Sequence, residues 1–186
     1  MLSARLGYIG LGSNLGDRQG YIARALTLLA AVPGLRVLRV SRIYESPAWG
    51  YSSAHPFLNA VAEIRWSGTP QELLEHCRAI ERQCGRQRPT DEIPSHREDA
   101  GTHADAAAPA LAYADRTLDL DILWLQDVKL ESPRLTLPHP QAQLRAFVLV
   151  PWCELAPELK LHGQSIAAWL KLLPREEVEN IALFAG

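Results

Sequence analysis

Hydrophobic positions recur along the chain with two different periods. Residues 57–66 alternate: Leu58, Ala60, Ala62, Ile64 and Trp66 share one face of an extended segment, and Phe57, Asn59, Val61, Glu63 and Arg65 share the other. Residues 116–125 alternate as well, with Leu118, Leu120, Ile122 and Trp124 opposite Asp119, Asp121, Leu123 and Leu125. The segments 6–12 and 35–44 are short, apolar and bounded by turn residues, and predict two more strands. A helical period takes over at 19–32, where Ile22, Ala25, Leu26 and Leu29 form a stripe that Pro33-Gly34 ends. A second stripe of Leu73, Leu74, Cys77, Ile80 and Cys84 follows Thr69-Pro70-Gln71-Glu72, which has the cap, proline and glutamate of a helix start. Gly85 ends it. Segments 141–150 and 165–172 predict further helices, and 135–138 a short extended piece. The order β-α-β-β-α-β predicts an α+β, ferredoxin-like core: a mostly antiparallel sheet with helices on one side.

Two stretches interrupt this regularity. Residues 46–56 hold two Pro, one Gly and three Ser, and a loop of that length in a small domain tends to carry function. Residues 89–112 are polar, acidic and rich in Ala and Pro, without sustained period, and read as a long inserted loop. The 186 residues, 47% of them hydrophobic, suit one domain spanning 1–186. A formal charge of −2 gives no pull toward nucleic acid or an anionic membrane. Three cysteines are too few and too scattered for a disulfide framework, and Cys77 and Cys84 fall on one helix face as buried thiols. The amino-terminal segment lacks a signal-peptide pattern, and no run is long enough to span a membrane. A cytoplasmic location is expected.

The sharpest chemical feature is Asp119-Leu120-Asp121. Asp is a poor strand former, yet two stand at i and i+2 on one face. Two hard carboxylates so placed either hold a cation such as Mg²⁺ or form a solvated sheet face. Arg86 and Arg88 follow the second helix, and Arg116 precedes Asp119 by three residues, on the opposite face if alternation holds that far. Arginines make up 16 of the 19 Lys and Arg, which either suits phosphate recognition or reflects a GC-rich coding bias. A dicarboxylate with several arginines is the set that phosphoryl transfer needs. Gly10-Leu11-Gly12-Ser13 lacks the downstream Gly-Lys-Ser/Thr of a P-loop, so the nucleotide is held some other way. Asn59 inside a strand is unusual unless a ligand or buried partner uses it. Phe57 and Phe147 are either core or pocket aromatics, His139 between two prolines is either a turn residue or a site residue, and Glu81 stands on the second helix.

Seven segments, in order, resemble the dihydropterin pyrophosphokinase family. They are residues 8–16, Tyr44-Glu45-Ser46-Pro47, residues 57–61, Ile80-Glu81 with Gly85-Arg86, residues 116–123, Leu135-Thr136-Leu137-Pro138-His139 and residues 145–149. The resemblance implies an ATP-dependent diphosphotransferase of folate biosynthesis, moving pyrophosphate from ATP to 6-hydroxymethyl-7,8-dihydropterin. It implies that Asp119 and Asp121 coordinate two Mg²⁺ ions and that Arg86 and Arg116 act on the triphosphate. Glu81, Arg88, Ile122, Arg134, Thr136, His139 and Arg145 would lie around ATP. Ser46, Pro47, Trp49, Phe57, Asn59 and Phe147 would form the pterin pocket. The implied partners are these small molecules alone, without nucleic acid or membrane, and the family default is a monomer. The alternatives are a relative acting on another reduced pterin, a non-catalytic pterin- or nucleotide-binding relative, and a metal-dependent phosphohydrolase.

The chain departs from the family's pattern in four places. The insertion at 89–112 is longer than the usual link and is read as a lid over ATP, with His96 and His103 among its acids. Tyr113-Ala114-Asp115 stands where a Trp is common before Arg-Thr. Trp49 replaces an aliphatic residue, and Pro140 follows His139 where an aromatic is frequent.

Overall fold

In the computed structural model, which describes residues 3–86 and 114–186, three helices open on the caps that their sequences supply. Asp17 Oδ1 accepts from the Gly20 amide at 2.9 Å, Thr69 Oγ1 from Glu72 at 3.2 Å and Ser165 Oγ from Ala168 at 3.1 Å. Glu72 returns a carboxylate to the Thr69 amide at 2.7 Å, completing a capping box. Each such cap contributes about 1 kcal/mol. In chain order the elements are β1 (Arg5–Ser13), α1 (Arg18–Ala30), β2 (Leu35–Val40), β3 (Tyr44–Ser46), β4 (Phe57–Trp66), α2 (Pro70–Gln83), β5 (Asp119–Leu125), β6 (Leu130–Glu131), β7 (Thr136–Leu137), α3 (Ala146–Leu155), β8 (Lys160–Leu161), β9 (Gln164–Ser165), α4 (Ile166–Leu172), α5 (Arg175–Glu179) and β10 (Ala182–Leu183). The expected features at 89–112, His96, His103, Arg88 and Tyr113 lie outside the described residues.

The main sheet is antiparallel. β1 lies between β4 and β5, while β2 and β3 both pair with the far side of β4, and β10 adds to β3. The order β5-β1-β4-β2/β3, with α1 and α2 as the crossovers, is the expected ferredoxin-like core. The single strand expected over 35–44 is broken in two. Leu38 is skipped in the pairing with β4, and after Val40 Ser41 keeps contact with Val61, accepting its amide at Oγ at 2.9 Å.

Helices cover both faces of the sheet, not one. Ile22, Ala25 and Leu29 of α1 and Leu73, Cys77 and Ile80 of α2 pack with Leu58, Ala60, Ala62 and Ile64. On the other face Val148, Leu149 and Trp152 of α3, with Ile166 of α4, pack against Tyr8, Val61 and Leu123. That second layer explains why β4 is buried at every position but Arg65, although Asn59, Glu63 and Arg65 share one of its faces. Cys77 and Cys84 are buried thiols, as the helical spacing implies.

Two further details differ from the sequence pattern. The β1–β5 register shifts between Tyr8 and Ile9, so Leu123 is the extra residue of a bulge. Beyond it the alternation inverts: Trp124 packs with Leu123 on the α3 side, and Leu125 joins the α1–α2 side. The helix expected from 141 begins later, as a 3-10 turn at Ala142–Leu144 followed by α3 from Ala146. Arg145 at the junction is extended, which lets its side chain turn back over the sheet.

Candidate active site

A row of three residues crosses three strands at one end of the sheet. Gly12 of β1 pairs with Asn59 of β4 on one side and Asp119 of β5 on the other, and Gly10 pairs with Asp121. Paired positions project to the same face, here the α3 face. Neither glycine fills the space between its neighbours. A Cβ on Gly12 would stand 3.6 Å from Asn59 Oδ1, 3.7 Å from Phe57 Cδ1 and 3.8 Å from the Asp119 Cβ. The bare strip of β1 is therefore the floor of a cleft between the sheet and the start of α3.

One half of the cleft is aromatic and neutral. Phe57, Trp49 and Phe147 line it with Ser46, Pro47 and Asn59. Asn59 is buried and donates from Nδ2 to Ser46 Oγ at 2.9 Å, which fixes its amide plane. Trp49 and Phe147 lie with ring centroids 6.4 Å apart, tilted by 57°. The guanidinium of Arg145 stands 4.9 Å from the Trp49 centroid and 5.8 Å from that of Phe147.

The other half is charged. Arg86 Nη1 donates to Glu81 Oε1 at 2.7 Å, to the Leu118 carbonyl at 3.2 Å and to Asp119 Oδ1. Arg116 Nη2 reaches Asp119 Oδ2 at 2.8 Å, and its guanidinium lies 5.2 Å from the Phe57 centroid. The expected placement of Arg116 opposite Asp119 is corrected here: β5 starts only at Asp119, so alternation does not bind its lead-in. Glu81 is buried, not a surface helix residue; it also accepts the Leu120 amide at 2.8 Å, tying α2 to β5. Arg145 Nη1 lies 3.7 Å from Asp121 Oδ2.

Burial in the cleft, then the charge of Asp119, push the Asp121 carboxyl up from 3.8 to about 7. Two carboxylates that resist ionising together are a natural seat for a cation. Among the described residues no group of three or more His, Cys, Asp or Glu stands ready to enclose a metal. A pair of carboxylates is a donor set that suits a hard ion completed by water and phosphate oxygens.

The remaining expected residues divide. His139 is fastened beside β5, its amide donating to the Leu123 carbonyl at 2.9 Å. Burial, then the nearby charge of Arg145, push its imidazole down to about 4. Ile122 is buried in the α1–α2 core and does not line the cleft. Arg134 is exposed and paired with Glu75 of α2, and Thr136 sits on the β6–β7 hairpin; neither lines the cleft, nor does His139, and Glu81 and Arg86 reach it only through Asp119 and its neighbours.

Sequence reasoning passed over Gly10 and Gly12, weighing them only against a phosphate loop. Two glycines at i and i+2 inside a strand were the available signal. It also passed over Tyr51, which lines the cleft, and over Asn14 and Asp115, which hold its edges together. Donors from Ser53 and Asn14 hold the Asp115 carboxyl below the usual range.

A model of the 7,8-dihydro-6-hydroxymethylpterin-pyrophosphokinase (HPPK) family matches residues 8–157. The 2-amino-4-hydroxy-6-hydroxymethyldihydropteridine pyrophosphokinase of Porphyromonas gingivalis is 42% identical over 154 residues, covering 82% of this chain and 91% of its own. The protein of that name from Methylorubrum extorquens is 36% identical over 174 residues, covering 94% and 97%. That from Bacillus subtilis is 35% identical over 160 residues, covering 86% and 83%. Among solved structures, Plasmodium falciparum HPPK-DHPS with SDX-DHP superposes with a TM-score of 0.62 at 13% identity, over 92% of this chain and 44% of that one. The likeness is one of fold, and this chain spans less than half of that longer protein.

Proposed function

The chain belongs to the 7,8-dihydro-6-hydroxymethylpterin-pyrophosphokinase family, and from that premise we propose how its cleft moves pyrophosphate from ATP to 6-hydroxymethyl-7,8-dihydropterin in folate biosynthesis. The pterin hydroxymethyl oxygen attacks the β-phosphorus of ATP and loses its proton to solvent, the bond between that phosphorus and the α–β bridging oxygen breaks, and AMP leaves. The observation that supports this reading best is the row Asn59–Gly12–Asp119, which sets a heteroaromatic pocket against a charged one across a floor with no side chain.

Each side chain has a task that its surroundings fit. Phe57 and Phe147 offer faces on which a flat pterin stacks. Asn59, its Nδ2 held by Ser46, presents Oδ1 and its remaining hydrogen to the pterin edge. Pro47 and Trp49 border the same pocket. Arg86 and Arg116, now paired with Asp119, exchange that carboxylate for phosphate oxygens and neutralise charge on the transferred group. Glu81 keeps Arg86 in place when Asp119 turns to another partner. Arg145 and His139 belong to the nucleotide side, and His139 acts there as a neutral imidazole. Asp119 and Asp121 hold Mg²⁺, two ions on this reading, which supplies charge neutralisation for the ATP phosphates. Most of the rate enhancement then comes from positioning and preorganised charge, because phosphoryl transfer asks for little covalent chemistry from protein groups. Arg88 remains an expected nucleotide contact from the sequence alone. The protein acts as a monomer on its two small molecules.

Isothermal titration with 6-hydroxymethyl-7,8-dihydropterin tests the pocket. Saturable binding that weakens in both Asn59→Ala and Phe57→Ala supports it. Binding indifferent to both substitutions, or none with a non-hydrolysable ATP analogue and Mg²⁺ present, overturns it.

A further inference from the structure

Asp115 immediately precedes Arg116, and one oxygen of its carboxylate collects three donors from two distant segments. Asn14 Nδ2 reaches Oδ1 at 2.7 Å, Ser53 Oγ at 2.7 Å and the Tyr51 hydroxyl at 3.0 Å. Asn14 extends the network. Its Oδ1 accepts the Arg116 amide at 2.7 Å, its backbone amide donates to the Arg116 carbonyl at 3.1 Å, and its Nδ2 also donates to the His55 carbonyl at 3.2 Å. Ser53 Oγ in turn accepts the His55 amide at 3.0 Å. Three pieces of chain thus meet here: the turn between β1 and α1, the loop 47–56, and the lead-in to β5.

The loop 47–56 has no strand or helix of its own. At its far end Arg18 Nη1 donates to the Pro56 carbonyl at 2.8 Å. Its middle is fastened at Tyr51 and Ser53, which both donate to Asp115, and at His55, whose carbonyl accepts from Asn14. Bonds to an ionised acceptor are stronger than neutral ones, and here three donors share one carboxylate oxygen. The same loop carries Pro47 and Trp49 into the aromatic half of the cleft, while Arg116 reaches from the residue after Asp115 into the charged half.

We propose that Asp115 is a positioning residue that clamps the pterin-side loop to the backbone carrying Arg116, so that the two halves of the cleft are held in register. The proposal rests on reading the cleft as a pterin and nucleotide site. It predicts that loosening the clamp weakens pterin binding more than it slows the bound complex, because the loop must then be ordered at the cost of binding energy.

The test is hydrogen exchange by mass spectrometry on four proteins: the unaltered chain, Asp115→Ala, Asp115→Asn, and the double variant Tyr51→Phe/Ser53→Ala, which leaves Asp115 in place. Steady-state kinetics accompany it. Amides of 47–56 should exchange about ten-fold faster in Asp115→Ala and in the double variant, with Asp115→Asn between, since its amide oxygen still accepts. The pterin KM should rise in the same order, by about ten-fold at most, with kcat changing by less than about two-fold. Combining Asp115→Ala with the double variant should give clearly less than the sum of their effects, because both remove the bonds of Tyr51 and Ser53 to Asp115, while the double variant alone also removes the bond from the His55 amide to Ser53 Oγ. Unchanged exchange at 47–56 in both variants, or full additivity of their effects, overturns the clamp. Should the unaltered protein fail to bind pterin, the functional reading falls, and the exchange data still judge whether the loop is clamped through Asp115.

Discussion

Arg116 Nη2 lies 2.8 Å from Asp119 Oδ2, an ion pair between residues that strict strand alternation would place on opposite faces. The pair exists because the strand starts at Asp119, while Asn14 holds the Arg116 backbone through both its amide and its carbonyl. Arg86 approaches the other oxygen of the same carboxylate. One carboxylate thus organises two guanidiniums in the charged half of the cleft.

Asp119→Asn should therefore lower kcat/KM on the order of 100-fold or more, the scale on which single groups in a preorganised charged site act. The fold should persist, since Arg86 keeps its bonds to Glu81 and the Leu118 carbonyl. Turnover and far-UV circular dichroism together check this.

Gly12→Ala should separate pocket from fold. The added Cβ meets its neighbours at 3.6 Å or more, which is ordinary contact, so Tm should hold within a few degrees. The methyl group nevertheless enters the floor between Asn59 and Asp119. Pterin affinity should fall about ten-fold, as for one misplaced methyl group in a substrate pocket. Calorimetry of pterin binding beside thermal melts reads both quantities.

Asp121 gives a pH dependence with a definite sign. Its carboxyl is pushed up from 3.8 to about 7 by desolvation and by Asp119. Between those values the folded chain holds a proton that the unfolded chain releases, so this group's contribution to stability is lost as pH rises through about 7. Asp121→Asn escapes that loss. Without divalent cations it should melt above the unaltered protein at pH 8, and the gap should narrow by pH 5. Mg²⁺ should raise Tm in the unaltered protein alone, and the Mg²⁺ concentration giving half-maximal rate should increase as pH falls below 7. A variant that gains stability while losing turnover marks a site whose strain serves function.

His139 carries the opposite sign. The Gln141 amide donates to His139 Nδ1 at 3.2 Å, which requires that nitrogen to be unprotonated. Burial and the charge of Arg145 push the imidazole down from 6.5 to about 4. Between those values the unfolded chain binds a proton that the folded chain does not, so stability is lost as pH falls through the window. His139→Gln should flatten the fall of Tm between pH 6.5 and pH 4.5. An unchanged slope would show that His139 is not held neutral.

The sequence made the strand at 57–66 legible because its alternation is long, the strand expected at 116–125 legible over Asp119–Leu125 only, and the capping box at Thr69 legible because its chemistry is local. It made the dicarboxylate legible because two Asp in a strand need a reason. What alternation cannot state is which partner covers each face. Val61 stands on the face it shares with Asn59, Glu63 and Arg65, yet α3, some 85 residues further on, buries it. Nor can it foresee the bulge at Leu123 that inverts Trp124 and Leu125, since the extra residue is defined only against β1. The Asp115 network was hidden for the same reason, its donors being 62 to 101 residues away. Gly10 and Gly12 were visible, but their meaning depends on Asn59 and the two Asp flanking them in space.

The account stands most directly on the nucleotide left behind. Purified protein given ATP, Mg²⁺ and 6-hydroxymethyl-7,8-dihydropterin, with products separated by HPLC, should yield AMP in step with a pterin diphosphate. AMP should be absent without pterin and lost in Asp119→Ala. ADP in place of AMP, or AMP formed equally well without pterin, would contradict pyrophosphoryl transfer to a pterin by this cleft.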